Sequence, residues 1–437
     1  MHGRRHSTTP GATPRGTLNR RGLLAAAGAA ALTSACGTAA GQPPGEVALH
    51  GDNAAWDKPI AAAGRQMKSL AGIELVPLVV PSLESFEQIV KSSLRTSKTP
   101  DMLKYWSGYR LQDLARTGGI IEMTGQWKRA AARGWVYPEL RSAFTYKDRV
   151  WALPMNLAYW VFFYNTKVFA EHGLEAPRTW DDFLAACKRL KSAGITPLHA
   201  TTDGRWPAFI WFMEVLVRQD PRFYQDLMNG RGSYTDPRAV RAMRTIVSFF
   251  DKDWFTPMDM SHEDAAAGVV HGKVGMMPGG TFLTPSLQAA GGKPGGDVDA
   301  FVLPMADERA RPSMVFESSA LVCTSKGPDR EEAVKAAGQW LHPRVSEAFS
   351  HTLQDGCPNP LVKPANPMVE GIARTARQKR LWMLNRFWEQ GPPELVESTV
   401  DDLAGFLLDP SSYRKVLSTM QERADEAWQV WREAEKV

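Results

Sequence analysis

Between Val47 and Tyr105 short apolar runs alternate with stretches of helical spacing, and this alternation constrains the fold more than any other feature. Val47–His50 is a compact apolar run with the character of a strand. Trp56, Ile60, Ala63, Met67 and Leu70 then recur at three- and four-residue steps, which places them on one helix face, and Gly72 supplies a stop. Ile73–Val80 is β-branched, with Pro77 pushing it to a sheet edge. Phe86, Ile89, Val90 and Leu94 predict a second helix and Asp101–Tyr105 a third strand. Strands separated by helices need crossover connections, so the chain should build parallel pairing with helices packed on the faces.

The same rhythm returns further on. Val161–Tyr164 is strand-like, and Thr179 with Asp182 forms a capping box ahead of Phe183, Cys187 and Leu190. Lys188, Arg189 and Lys191 suit the final turn of that helix, and Gly194 ends it before a strand at Ile195–Leu198. Asp236-Pro237 opens a helix with Val240, Met243, Val247 and Phe250 inward. Asp329 and Glu332 are expected to cap another that runs through Trp340, and Tyr413–Glu435 reads as one long amphipathic helix. Two α/β lobes are the natural packing, one formed by 47–155 plus 271–316 and the other by 156–270 plus 317–437. The chain is expected to cross between them near Pro154–Tyr159, Ala265–His271 and Phe316–Ser319.

The N-terminus has a different character. Arg4, Arg5, Arg15, Arg20 and Arg21 precede an apolar Ala-rich run that is too short to span a bilayer. Residues 1–35 therefore read as an export signal, with Arg20-Arg21 resembling a twin-arginine motif. Thr33-Ser34-Ala35-Cys36 resembles a lipobox, making Cys36 the expected lipid attachment site and 36–46 a Gly/Pro-rich tether. Those five arginines account for the whole formal charge of +5. The chain beyond them is neutral, which argues against nucleic acid and against a polybasic membrane-binding face. Cys187, Cys323 and Cys357 remain, too few for a disulfide framework, with a Cys323–Cys357 bridge left open. No Cys/His spacing suits a metal and no cofactor motif is present; Gly-rich 291–296 lacks a dinucleotide fingerprint.

Several segments carry a family resemblance. Arg149–Asn156 (RVWALPMN), Val161–Phe169 (VFFYNTKVF), Gly173–Leu190 (GLEAPRTWDDFLAACKRL), Val270–Thr281 (VHGKVGMMPGGT) and Phe301–Met305 (FVLPM) occur in order. The chain so resembles the family 1 extracellular solute-binding proteins of ABC importers, the maltose-binding-like group. The resemblance implies an α/β, two-lobed periplasmic-binding-protein type fold (type II), each lobe a mostly parallel sheet flanked by helices, with a hinge between. It further implies a monomer without catalytic activity, lipid-anchored at the outer face of the cytoplasmic membrane. Its partners would be a mono- or oligosaccharide ligand and ABC permease subunits.

Sugars offer apolar C–H faces and a belt of hydroxyls, so aromatic rings with Asp, Glu and Asn are the side chains to seek. Fifteen tryptophans supply the rings, and Trp340, Trp428 and Trp431 at helical spacing are set aside as core. Ligands of open α/β sheets bind at the carboxyl ends of strands. That rule selects Asp52 and Asn53 after the first strand, which could equally cap the next helix, and Trp106 and Tyr109 after the third. It adds Asn156 and Tyr159 at the first crossing, Asp203 and Trp206 after 195–198, Gly280 and Thr281 after 273–277, and Glu317 near the last crossing. No G-x-S-x-G elbow, phosphate loop or H-E-x-x-H helix occurs, although an Asp/Glu pair for glycoside hydrolysis leaves no sequence spacing to recognise. A polyamine or peptide binder is the other reading; a polyamine site would set several carboxylates around aromatic rings.

Overall fold

The computed structural model describes residues 46–80 and 83–436. The export signal, Cys36 and all but the last residue of the tether lie outside them. Strands β1 (Glu46–Gly51), β2 (Glu74–Val79) and β3 (Met102–Tyr105) start a five-stranded sheet. Its order is β2, β1, β3, Ala320–Cys323, Leu153–Pro154. β1 is parallel to both neighbours, and β2, whose Pro77 has no N–H to give, takes the edge. The helix Asp57–Ala71 connects β1 to β2 and ends at Gly72, whose φ of 71° lets its N–H reach Lys68 O. Helix Pro343–Leu353 packs against it.

A second sheet is ordered Trp382–Asn385, Ser313–Glu317, Ala158–Asn165, Val274–Gly280, Thr196–Leu198, with Val298–Phe301 also paired to Ala158–Asn165. All eight residues of that central strand (AYWVFFYN) are buried, consistent with helices covering both faces. Both sheets are mixed rather than mostly parallel. Ala158–Asn165 runs antiparallel to three neighbours, and Ala320–Cys323 is antiparallel to both of its own. Local signals acted as expected at Thr179, whose hydroxyl accepts Asp182 N–H at 3.1 Å while Asp182 Oδ2 accepts Thr179 N–H at 2.9 Å.

The strands do not divide between the sheets as expected. Segment 271–316, placed with the first lobe, carries three strands that pair in the second sheet, and Ala320–Cys323, placed with the second, pairs in the first. The chain passes between sheets at 155–157 and 318–319, as read from sequence. Ala265–His271 is no crossing: it lies mostly in helix His262–Val270, and the strands before and after it share one sheet. The third passage falls between helix Pro343–Leu353 and strand Trp382–Asn385, a short strand with only four residues to announce it. Helix Pro237–Phe250 buries Ala239, Ala242, Met243, Ile246 and Phe249, so of the residues expected inward only Met243 is fully enclosed. Asp329 caps its helix without a side-chain hydrogen bond. Cys187, Cys323 and Cys357 are buried free thiols, so Cys323 and Cys357 are not bridged.

Candidate ligand-binding cleft

A cleft of about 680 Å³ opens where strand ends of the two sheets face each other. From the first sheet come Asp52, just beyond β1, and Lys104 and Trp106, at the end of β3. Lys104 Nζ meets Asp52 Oδ1 at 2.7 Å, with both side chains largely enclosed. Lys104 also lies 5.2 Å from the centroid of Trp106, and the Arg110 guanidinium stands 5.3 Å from the same ring. Trp106 is 7% exposed, with the edges of Phe86 and Tyr105 against it. It lines the cleft, but much of its surface is already covered. Asn53 sits at the rim, where its Oδ1 accepts Ala55 N–H at 2.9 Å and caps the following turn.

The second sheet contributes a different surface. Asp203 and Trp206 follow the strand Thr196–Leu198, with Asp203 exposed and Trp206 half-buried. Trp206 is set among His262, Phe209 and Phe282, with ring centroids 5.1, 6.1 and 6.4 Å away. His262 is held at the start of its helix, beside the Ser261 cap, and His199 meets it edge-on at 5.1 Å. Thr256 Oγ1 donates to Ala200 O, so His199 Nδ1 must donate to Thr256 Oγ1 at 2.9 Å, which fixes the His199 tautomer. Burial pushes the His262 pKa down to about 4, against a smaller upward pull from Asp203, and burial likewise takes His199 down to about 3. Both rings are neutral at pH 7.

At the floor, Arg386 follows strand Trp382–Asn385. Its guanidinium forks onto Glu389, with Nε 2.9 Å from Oε2 and Nη2 on Oε1. Nη1 approaches Glu317 Oε2 at 2.5 Å but outside hydrogen-bonding geometry, so this contact is an ion contact rather than a directed bond. Burial raises the Glu317 pKa to about 7, and the neighbouring Glu389 adds to this against the downward pull of Arg386. Trp388 and Ser319 complete this wall.

Six of the residues singled out from sequence line the cleft: Asp52, Asn53, Trp106, Asp203, Trp206 and Glu317. The other five face protein. Asn156 and Thr281 are fully buried, as is Asp355 between them. Asn156 Nδ2 donates to Asp355 Oδ2 at 3.0 Å, Thr281 Oγ1 donates to Asp355 Oδ1 at 2.5 Å, and Ser319 N–H reaches Asn156 Oδ1 at 2.9 Å. Tyr159 N–H donates to Thr281 Oγ1 at 3.0 Å, and Gly280 pairs with Trp160 inside the sheet. These residues tie the crossing segments together, because backbone passing through the interior must find internal partners. Tyr109 turns away from the cleft, donating to Asn229 Oδ1 at 2.8 Å with its ring against Trp428 and Trp431.

Sequence reasoning missed Lys104, His262, Arg386 and Trp388. Lys104 had a signal: it is the one basic residue in the strand read at Asp101–Tyr105. Arg386 and Trp388 had none that could be used, since the strand that places them was not recognised. Among the described residues no cluster of His, Cys, Asp and Glu could hold a metal, and no helix is long and apolar enough to cross a membrane.

Residues 48–341 match the bacterial extracellular solute-binding protein family. A probable sugar-binding periplasmic protein of Brucella suis is 28% identical over 200 residues, covering 44% of this chain and 46% of that protein. A probable sugar-binding periplasmic protein of Mesorhizobium japonicum is 26% identical over 254 residues, or 56% and 58% of the two chains. The chain thus spans about half the length of the curated relatives it matches. Among solved structures, the bacterial solute receptor AcbH, described as preferring β-D-galactopyranose, superposes with a TM-score of 0.79 at 18% identity, covering 88% of this chain and 99% of that one. RafE in complex with raffinose gives 0.69 at 14% identity, covering 87% and 99%. At such identities the superpositions speak for the fold. The family match spans well over half of the sequence, and the chain belongs to the bacterial extracellular solute-binding proteins.

Proposed function

We propose that this protein captures a mono- or oligosaccharide in the cleft and delivers it unchanged to the permease of an ABC importer. The carrying observation is the cleft itself: the half-buried Trp206 offers ring surface for sugar C–H faces, while Asp52, Asp203, Glu317 and Ser319 offer hydroxyl partners. The sugar-binding description of the Brucella and Mesorhizobium relatives supports the same reading. Capture closes the two halves about their crossing segments, and the closed form is what the permease recognises. The chain is exported by its N-terminal signal and held at the outer face of the cytoplasmic membrane by lipid on Cys36, where it works as a monomer.

A thermal-shift screen across mono- and oligosaccharides tests this, because a bound ligand raises apparent stability by mass action. A concentration-dependent rise with at least one sugar, recovered intact by chromatography, is expected. No response to any carbohydrate, or cleavage of one that binds, rejects the reading.

A further inference from the structure

The loop that presents Trp206 to the cleft is bent in an uncommon way. Gly204 and Arg205 have φ of 69° and 65° in succession. Glycine adopts such values freely, but arginine does not. Arg205 also has ψ of −57°, which takes it out of the ordinary left-handed basin that Gln354 occupies with φ 61° and ψ 31°. Trp206 N–H donates to Gly204 O at 2.7 Å, two residues back, so Arg205 is the central residue of a γ-turn of the rare, strained form. The strain falls on the residue immediately before the half-buried ring of this wall. Backbone of this kind persists only where its surroundings hold it.

The holding contacts come from one helix turn. The Arg205 guanidinium forks onto Asp401, with Nε on Oδ1 and Nη2 2.8 Å from Oδ2, and Nη2 also donates to Glu397 O at 3.1 Å. Glu397 and Asp401 lie one turn apart on helix Pro393–Leu408. That turn is fixed from its other side, since the Glu397 carboxylate accepts Arg110 Nη2 at 3.0 Å. The start of the loop is pinned as well: Met258 O accepts Thr202 N–H at 2.8 Å and the hydroxyls of Thr201 and Thr202 at 3.1 Å each. Neither Arg205 nor Asp401 lines the cleft. Both side chains are about half exposed, and an ion pair so open to water adds little to overall stability. Stability therefore does not account for a strained arginine where glycine would fit, whereas the direction given to Trp206 does. We infer that Arg205 is a positioning residue for ligand capture: its fork onto Asp401, with Glu397 O, holds the γ-turn that aims the Trp206 ring into the cleft. This rests on the reading of Trp206 as a sugar-binding ring and adds what sets that ring in place.

Arg205→Ala, Asp401→Ala and the double variant test this in the full-length protein labelled with 5-fluorotryptophan. The Trp206 fluorine resonance is the one of fifteen that Trp206→Phe removes. It is expected to shift or broaden in both single variants, while the melting temperature stays within about 2 °C of the parent, the scale of a surface ion pair in a chain of this size. D-Galactose and raffinose serve as binding probes. Each single variant should bind the tighter of the two about tenfold more weakly, part of the cost of deleting a stacked ring. The double variant should lose no more than either single one, because both break the same fork. Arg205→Lys keeps the charge but cannot fork, and should fall with the alanine variants. An unmoved Trp206 resonance overturns the inference, as does a moved resonance with unchanged binding of a probe that the parent binds. A large fall in melting temperature in both single variants makes the pair structural and overturns it too. If the parent binds neither probe, that counts against the carbohydrate reading, and the resonance still decides whether Arg205 aims the ring.

Discussion

The guanidinium of Arg110 stands 4.4 Å from the ring centroid of Trp388, and the same group donates to Glu87 and Glu397 at 3.0 Å each. Arg110 belongs to the helix that follows β3, whereas Trp388 and Glu397 belong to the segment that follows the second sheet's last strand. A single buried cation thus joins the two halves directly behind two cleft tryptophans. Arg110→Ala would strand two carboxylates and uncover both rings. A loss of about 3 kcal/mol is expected, at the low end for breaking a buried pair because Glu397 stays partly hydrated. Urea unfolding followed by fluorescence would measure it, and an unchanged midpoint would assign Arg110 no such joining role.

Trp206→Ala should weaken binding of the best sugar by about 1–3 kcal/mol, the usual cost of losing one stacked aromatic. Trp106→Ala should behave differently, because that ring is enclosed by Phe86, Tyr105, Lys104 and Arg110 and its removal opens a cavity. Its loss should appear in the unfolding midpoint as well as in affinity. Calorimetric binding alongside thermal unfolding separates the two, and equal behaviour of both variants would refute the distinction.

Burial pushes the Asp355 pKa from its ordinary 3.8 up to about 6, although Thr281, Asn156 and the Gly356 N–H pull it down. Between those values the native state holds a proton that the unfolded chain has released. Asp355 therefore contributes stability that is full at low pH and is lost as pH rises through about 6. Asp355→Asn lacks this dependence. Its stability deficit relative to the parent should be largest near pH 4 and shrink toward pH 7. Denaturant titrations at a series of pH values would show it, and a deficit that grows with pH would contradict the sign.

Cys187, Cys323 and Cys357 are enclosed, and burial raises all three thiols, Cys357 to about 12. A thiol reagent should leave all three unmodified in the native protein and label them together on unfolding. Reductant should not shift the melting temperature. Rapid native labelling of any of the three would mean that the core opens locally.

How much was legible follows from how local each signal is. Gly72, Thr179 with Asp182, and Asp236-Pro237 set helix ends through contacts within a few residues, and each end falls where the sequence placed it. Sheet membership is set by partners far away in sequence, such as Ala320 beside Tyr105, and nothing near Ala320 announces it. The cleft divides in the same way. Asp203 and Trp206 follow from the rule that ligands gather beyond strand ends. Asn156, Tyr159 and Thr281 satisfy the same rule, yet they are drawn inward: Asp355, some two hundred residues beyond Asn156, takes the hydrogen bonds of Asn156 and Thr281, and Thr281 Oγ1 in turn accepts the Tyr159 N–H. Arg386 and Glu317 lie far apart in the chain, so their contact appears only once both sheets exist.

The strand Ala320–Cys323 lies between β3 and Leu153–Pro154, two segments made much earlier in synthesis. Until the ribosome has passed residue 323, the first sheet has a gap in its middle, and Leu153–Pro154 has no neighbour to bind. A fragment ending at any earlier point cannot complete either half of the molecule. The order of manufacture therefore delays final assembly until most of the polypeptide has emerged.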